Sequence, residues 1–191
     1  MPVRPSLLTA AGAIAFMVSC ATESGSYSFP VSSAMVNTPQ SRNIADQLFV
    51  EVNQYRRGKN ASPLVRHRGL DQLASRHAQY LIDKRGTFSL YGRYVSHDGF
   101  TGRSLIARES FGFQSVAENV AATTGGTNNA AKVFRNMWVG SPNHERTMRA
   151  AWIYTGVAVA VADDGTVIAV QIFGNRAMAS HDAMMDKLRG F

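Results

Sequence analysis

Gly156-Val157-Ala158-Val159-Ala160-Val161, the turn Asp163-Asp164-Gly165, and Thr166-Val167-Ile168-Ala169-Val170-Gln171-Ile172-Phe173 form the stretch that decides the fold. Two β-branched runs joined by an Asp-Gly turn predict an antiparallel hairpin. Upstream the period lengthens. Ile44, Leu48, Val52 and Tyr55 recur at helical spacing, with Asp46 in the first turn and Arg56, Arg57 and Lys59 at the end, predicting a helix over about 43–58. Gly58 or Asn60 can end it in the left-handed conformation, and Pro63 prevents its continuation. Leu70, Leu73, Ala74, His77, Ala78 and Leu81 share one face of a second helix over about 70–85, closed by Gly86. A short helix is expected near 101–109 and a longer one over about 129–140, with Ala130, Val133, Phe134, Met137 and Trp138 on its buried stripe. Helices first and a hairpin last exclude a regular βαβ alternation. They predict an α+β fold in which helices pack on an antiparallel sheet.

The chain of 191 residues suits one domain with short extras, and 45% hydrophobic against 17% charged residues describes a globular protein rather than a disordered one. Its formal charge is +7, and the first nineteen residues supply one arginine and no acid, so +6 remains from Cys20 onward. Sixteen of the twenty cations are arginine, which suits bidentate contact with phosphate or carboxylate groups on an anionic envelope polymer. Genomic base composition is the plainer explanation. The charges are scattered rather than clustered, so nothing marks a nucleic-acid site. A single cysteine rules out a disulfide within the chain.

That cysteine ends an export signal. Arg4 precedes an apolar run from Leu7 to Val18, the length of a signal-peptide core and too short for a permanent membrane span. Met17-Val18-Ser19-Cys20 resembles a bacterial lipobox, with methionine where leucine is usual. The reading is a signal peptide over 1–19 and a lipidated Cys20 that anchors the protein to a membrane; Ala21 rather than Asp after the cysteine implies, by resemblance to Gram-negative lipoproteins, outer-membrane sorting, within a periplasmic or outer-membrane location. The alternative is cleavage after Ala21 and release as a secreted protein. Residues 20–42, rich in Ser, Thr, Gly and Pro, read as a flexible tether. The folded domain is expected over 43–175 and a C-terminal tail over 176–191, where Met178, Met184, Met185 and Leu188 suggest a short surface helix.

Within the expected domain, Asn53-x-x-Arg56, Pro63-Leu64, His77-Ala78, Ser96-His97, Gly102, Arg108, Gly112, Glu118-Asn119-Val120-Ala121, Trp138-x-x-Ser141-Pro142-x-His144, Gly156-Val157-Ala158 and Gln171-x-Phe173-Gly174 form an ordered series. The series resembles the CAP superfamily, the SCP domain of cysteine-rich secretory proteins, antigen 5 and pathogenesis-related proteins, in a disulfide-free bacterial version. It covers about residues 44–175. The resemblance implies a three-layer α-β-α sandwich with a central antiparallel sheet and a cleft holding two histidines and two glutamates. His97, Glu118 and His144 match three of the four; Ser141 stands where the remaining glutamate is expected.

Two imidazoles and one carboxylate can hold a divalent metal such as zinc and leave a position for water. The plainer alternative is that His97, Glu118 and His144 hydrogen-bond one another and brace the cleft without a ligand. Asp98 and Glu145 adjoin the histidines as stand-ins for the missing carboxylate. His77 is expected to be a hydrogen-bonded core residue, His67 a solvated loop residue, Trp138 and Trp152 core, and Asn119 a brace for the loop bearing Glu118. No His-Glu-x-x-His, Gly-x-Ser-x-Gly or phosphate loop is present. The resemblance implies a binding module for lipid or sterol-like ligands in an apolar groove. A metal-assisted hydrolase of envelope substrates and a basic surface for anionic polymer are the competing readings. No complete nucleophile, base and oxyanion set can be assembled, so binding ranks above catalysis.

Overall fold

The computed structural model describes residues 35–84 and 96–176. The signal peptide, Cys20, most of the tether and the residues after Arg176 lie outside the described residues. Ten elements follow one another: β1 (Met35–Val36), α1 (Pro39–Gly58), β2 (Val65–Arg66), α2 (Arg68–Asp83), α3 (Phe100–Phe111), β3 (Phe113–Thr123), α4 (Ala130–Val139), α5 (Pro142–Arg149), β4 (Tyr154–Val161) and β5 (Val167–Arg176).

The predicted hairpin is β4 and β5, paired antiparallel from Tyr154 opposite Gly174 to Val161 opposite Val167. β3 adds antiparallel to the outer side of β5, with Glu118 opposite Ile172 and Asn119 opposite Gln171. On the other side, β4 takes β1 antiparallel and β2 parallel. The central strands β3, β5 and β4 are antiparallel, as expected, and the short parallel β2 makes the sheet mixed at one edge.

Both faces of this sheet are covered, which explains why β4 and β5 read as nearly unbroken apolar runs. Val120, Ala122, Ala158, Ala160, Ile168, Val170 and Ile172 pack against Leu70, Leu73, Ala78 and Leu81 of α2 and Ala107 of α3. The alternating residues Ala121, Val157, Val159, Val167, Ala169 and Phe173 pack against Ile44, Leu48 and Val52 of α1, Phe134 and Trp138 of α4 and Met148 of α5. Successive strand residues point to opposite faces, so one strand serves two cores.

α2 lies close to β4 at Gly156. A Cβ there would come within 2.1 Å of the Leu70 carbonyl carbon and 2.2 Å of the Asp71 nitrogen, so only glycine fits. On the other face, α1 and α5 are tied by Arg56, which is buried and pairs with no carboxylate among the described residues. Its Nη1 donates to the carbonyls of Met148 (2.6 Å) and Ala150 (2.8 Å), and its Nε to that of Ser62 (2.9 Å). Arg56 supplies positive charge near two helix C-termini, whose last carbonyls carry the negative end of the dipole.

The domain starts earlier than the sequence reading allowed. Residues 35–42 were assigned to the tether, but Met35 and Val36 pair with β4 and α1 begins at Pro39. Thr38 accepts the Ser41 N–H at 3.0 Å as N-cap, and proline stands in the first turn where no donor is needed. His67 is not a solvated loop residue either. It caps α2 by accepting the Gly69 N–H at 3.2 Å and packs edge-on against Phe111, Phe113 and Tyr154.

Candidate functional site

β3 is an edge strand among the described residues, and the site is built on it. Glu118 does not sit on a loop as expected; it lies mid-strand, on the face shared with α2 and α3, while Asn119 points to the α4 and α5 side. Gly112 ends α3 at φ +71°, and the chain turns there directly into β3. α3 is thereby folded back beside the strand that follows it.

The Glu118 side chain is 1% exposed, and both of its oxygens are engaged. Arg103 of α3 donates Nε to Oε2 and Nη2 to Oε1, each at 2.8 Å, a two-pronged ion pair. His97, in the segment before α3, donates Nδ1–H to Oε1 at 2.9 Å. With the proton on Nδ1, a neutral ring would keep Nε2 as its acceptor; the side chain is 49% exposed. Burial alone would raise the Glu118 carboxyl, but the bonds from His97 and Arg103 together with the nearby charges outweigh it and hold it below the usual carboxylate range.

His77 of α2 completes the buried side. Its Nε2 donates to the Ser96 carbonyl at 3.0 Å and lies 3.7 Å from Glu118 Oε1. Burial pushes its pKa down, opposed by the Glu118 charge, so the ring is held neutral. The expectation of a hydrogen-bonded core histidine holds, and the structure also puts it against the cluster.

His144 arrives from the opposite layer. It lies in the first turn of α5, half-buried, and Asn119 Nδ2 donates to its backbone carbonyl at 3.0 Å. Asn119 therefore braces the His144 turn rather than a Glu118 loop. Burial lowers the His144 pKa, with a smaller lowering from the electrostatic influence of His97. Ser141 is the N-cap residue of α5, with its side chain in no capping bond.

Neither stand-in carboxylate takes the place of the expected glutamate. Glu145 accepts from Tyr55 Oη at 2.8 Å and Arg149 Nε at 3.0 Å, and Asp98 contributes its carbonyl, not its carboxylate, to Arg103 at 2.7 Å. Among the described residues no group of three or more His, Cys, Asp or Glu side chains is arranged to hold a metal ion. As placed, the residues do not fit a zinc site that counts Glu118 as a ligand, because its oxygens already hold a guanidinium and an imidazole. Trp138 is fully buried and Trp152 donates Nε1 to the Thr147 carbonyl at 2.9 Å, so both belong to the core side of the fold.

Arg103 was missed from sequence. One signal for it existed: an arginine in the first turn of a helix opposes the helix dipole, and such a residue calls for a carboxylate from elsewhere.

A family model described as cysteine-rich secretory protein family, CAP, matches residues 49–173. The chain belongs to the CAP family. The fold agrees with several solved CAP-like structures. An outer surface protein from Borrelia burgdorferi is 21% identical, with TM-score 0.57, over 75% of this chain and 98% of that one. An extracellular protein containing an SCP domain from Bacillus anthracis is 23% identical, with TM-score 0.55, over 73% of this chain and 44% of that one. A cysteine-rich secretory protein from Staphylococcus aureus is 17% identical, with TM-score 0.54, over 73% and 41%. This CAP domain thus spans less than half of the last two proteins. No curated protein matches.

Proposed function

We propose that this CAP domain is a non-catalytic ligand-binding module of the cell envelope, exported by its signal peptide and held at a membrane through lipidated Cys20. The observation that carries the binding reading over the hydrolase is the state of Glu118. A general base needs a carboxylate within reach of the proton it takes and free to take it. Glu118 is buried, doubly engaged by Arg103 and held below the usual carboxylate range, the opposite of the tuning a base near neutral pH requires.

For the ligand, the α1 and α4 surface is favoured over the His97 cleft. Asp46, Val50, Glu51, Ala131 and Lys132 line an open groove of about 360 Å³ between these helices, with Asp46 paired to Arg66 and Glu51 to Arg135, within the range of roughly 300–1,000 Å³ for small-molecule sites. Val50 is exposed there, and Lys132 supplies a cation at the rim for a carboxylate or phosphate head group. This supports an amphiphilic lipid with an anionic head as the ligand class.

The experiment is extraction and mass spectrometry of lipid from natively purified protein, followed by uptake of a fluorescent fatty acid. Copurifying lipid and saturable uptake, weakened in Val50→Asp, are the expected results. Protein that carries no lipid and takes up none defeats the reading. Turnover on envelope substrates that disappears in His97→Ala would favour the hydrolase instead.

A further inference from the structure

We infer that Arg103 is the resident cation of the cleft: it occupies both oxygens through which Glu118 would hold a divalent ion, and it keeps the Glu118 and His97 pair ordered without metal. The inference rests on the same Glu118 geometry as the non-catalytic reading, but not on what fills the groove between α1 and α4.

Three observations support it. The Arg103 guanidinium bonds both Glu118 oxygens at 2.8 Å, with the side chains 12% and 1% exposed, so the pair is shielded from solvent. The arginine is also anchored away from Glu118, donating Nη1 to the Asp98 carbonyl at 2.7 Å and lying over the Phe100 ring at 6.0 Å from its centroid. It is therefore held on three sides and is not a loose surface charge. Third, among the described residues no second carboxylate joins the cluster: Ser141 stands where one was expected and Glu145 is bonded to Tyr55 and Arg149.

The electrostatics follow from these contacts. Glu118 and Arg103 cancel, so a dication approaching the carboxylate meets no net negative charge and faces a guanidinium whose repulsion is doubled by its own charge. The His77 nitrogen beside Glu118, Nε2, has no lone pair for a metal there, because it carries the proton donated to the Ser96 carbonyl. The two remaining nitrogen donors, on His97 and His144, are then left without a ligating carboxylate, a set that binds a dication weakly. Guanidinium, unlike metal, cannot dissociate, so the ordering of the His97 segment becomes independent of metal supply and of chelators.

The test is thermal unfolding of the full chain with zinc chloride or EDTA, alongside titration calorimetry with zinc. The wild type should show no shift with either additive. Arg103→Gln, which keeps one N–H for Glu118 but removes the charge, should melt lower and gain roughly 5–10 °C when zinc is present at about a hundredfold its dissociation constant. Arg103→Gln/His97→Ala should lose that gain. Arg103→Lys, which preserves a cation beside Glu118, should fold and stay silent to zinc, and it carries the test if Arg103→Gln does not fold. A zinc-dependent shift in the wild type or in Arg103→Lys that His97→Ala abolishes overturns the inference. So does a folded Arg103→Gln with no zinc response. Lipid uptake measured on the same samples separates the two ideas, since loss of metal silence with uptake intact counts against Arg103 alone.

Discussion

Replacing Glu118 by glutamine removes one charge from a buried cluster and leaves its shape nearly intact. In the wild type the carboxylate accepts three charge-assisted or polar bonds, two from Arg103 at 2.8 Å and one from His97 at 2.9 Å. Removing one partner of a buried ion pair typically costs about 3–5 kcal/mol, because the other charge is left uncompensated. Arg103 keeps its bond to the Asp98 carbonyl and a little solvent contact, which sets the expected loss at the lower end, about 3 kcal/mol. For a domain of this size that corresponds to roughly 6–12 °C in Tm. The double variant Glu118→Gln/Arg103→Met should recover about 2 kcal/mol of the loss, since the orphaned guanidinium is gone. Acid should erase the difference. The Glu118 carboxyl titrates below its ordinary 4.5 in the folded protein, so its stabilisation is complete above that value and disappears as pH falls through the depressed one. Urea unfolding of the wild type, Glu118→Gln, Arg103→Met and the double variant across a pH series measures all of this. A loss under about 1 kcal/mol at neutral pH, or two single-variant effects that simply add, refutes the picture of a coupled buried pair.

Gly156→Ala should cost more than 4 kcal/mol or abolish folding, because its Cβ meets the Leu70 and Asp71 backbone at 2.1–2.4 Å; a circular-dichroism melt within about 3 °C of wild type would show that α2 can yield. Arg56→Met strips four carbonyls, those of Ser62, Met148, Ala150 and Trp152, of their donor, with an expected loss of about 3 kcal/mol in urea unfolding. A loss below about 1 kcal/mol would mean that water replaces the guanidinium. His77 is held below its ordinary 6.5 chiefly by burial, so the stability of the neutral ring is present above 6.5 and lost as pH falls towards the depressed value. His77→Gln, which keeps a donor for the Ser96 carbonyl, should flatten the decline in stability as pH falls below 6.5. An unchanged slope would assign that decline to other groups.

The hairpin β4–β5 and the helices α1, α2 and α4 were legible because each presents a regular apolar period over two or more turns or several strand residues. β3 was not. Gln114, Ser115, Glu118 and Asn119 interrupt its apolar residues: the first two are exposed, Glu118 belongs to the site and Asn119 braces α5. α5 was hidden for a similar reason: it is eight residues long and only Met148 is buried, so it carries no stripe. β1 and β2, two residues each, have no period to detect. At the site, the ordered series of motif residues pointed to His97, Glu118 and His144, yet not to which atoms are free. The engagement of Glu118 by Arg103 depends on α3 doubling back along β3 at Gly112, a tertiary fact that spacing along the chain does not encode.

The position of β3 at the end of the sheet gives the cluster a second duty. Among the described residues β3 pairs with β5 alone, so one side of an eleven-residue strand offers main-chain donors and acceptors that no neighbouring strand takes. Exposed edges of this kind template intermolecular pairing, and proteins protect them with inward charges and covering segments. Helix α3, pinned by Arg103 to Glu118, and the His144 turn, pinned by Asn119, flank that rim. Loosening either pin would therefore register first as oligomers and fibril-like aggregates, before any measurable change in what the protein holds.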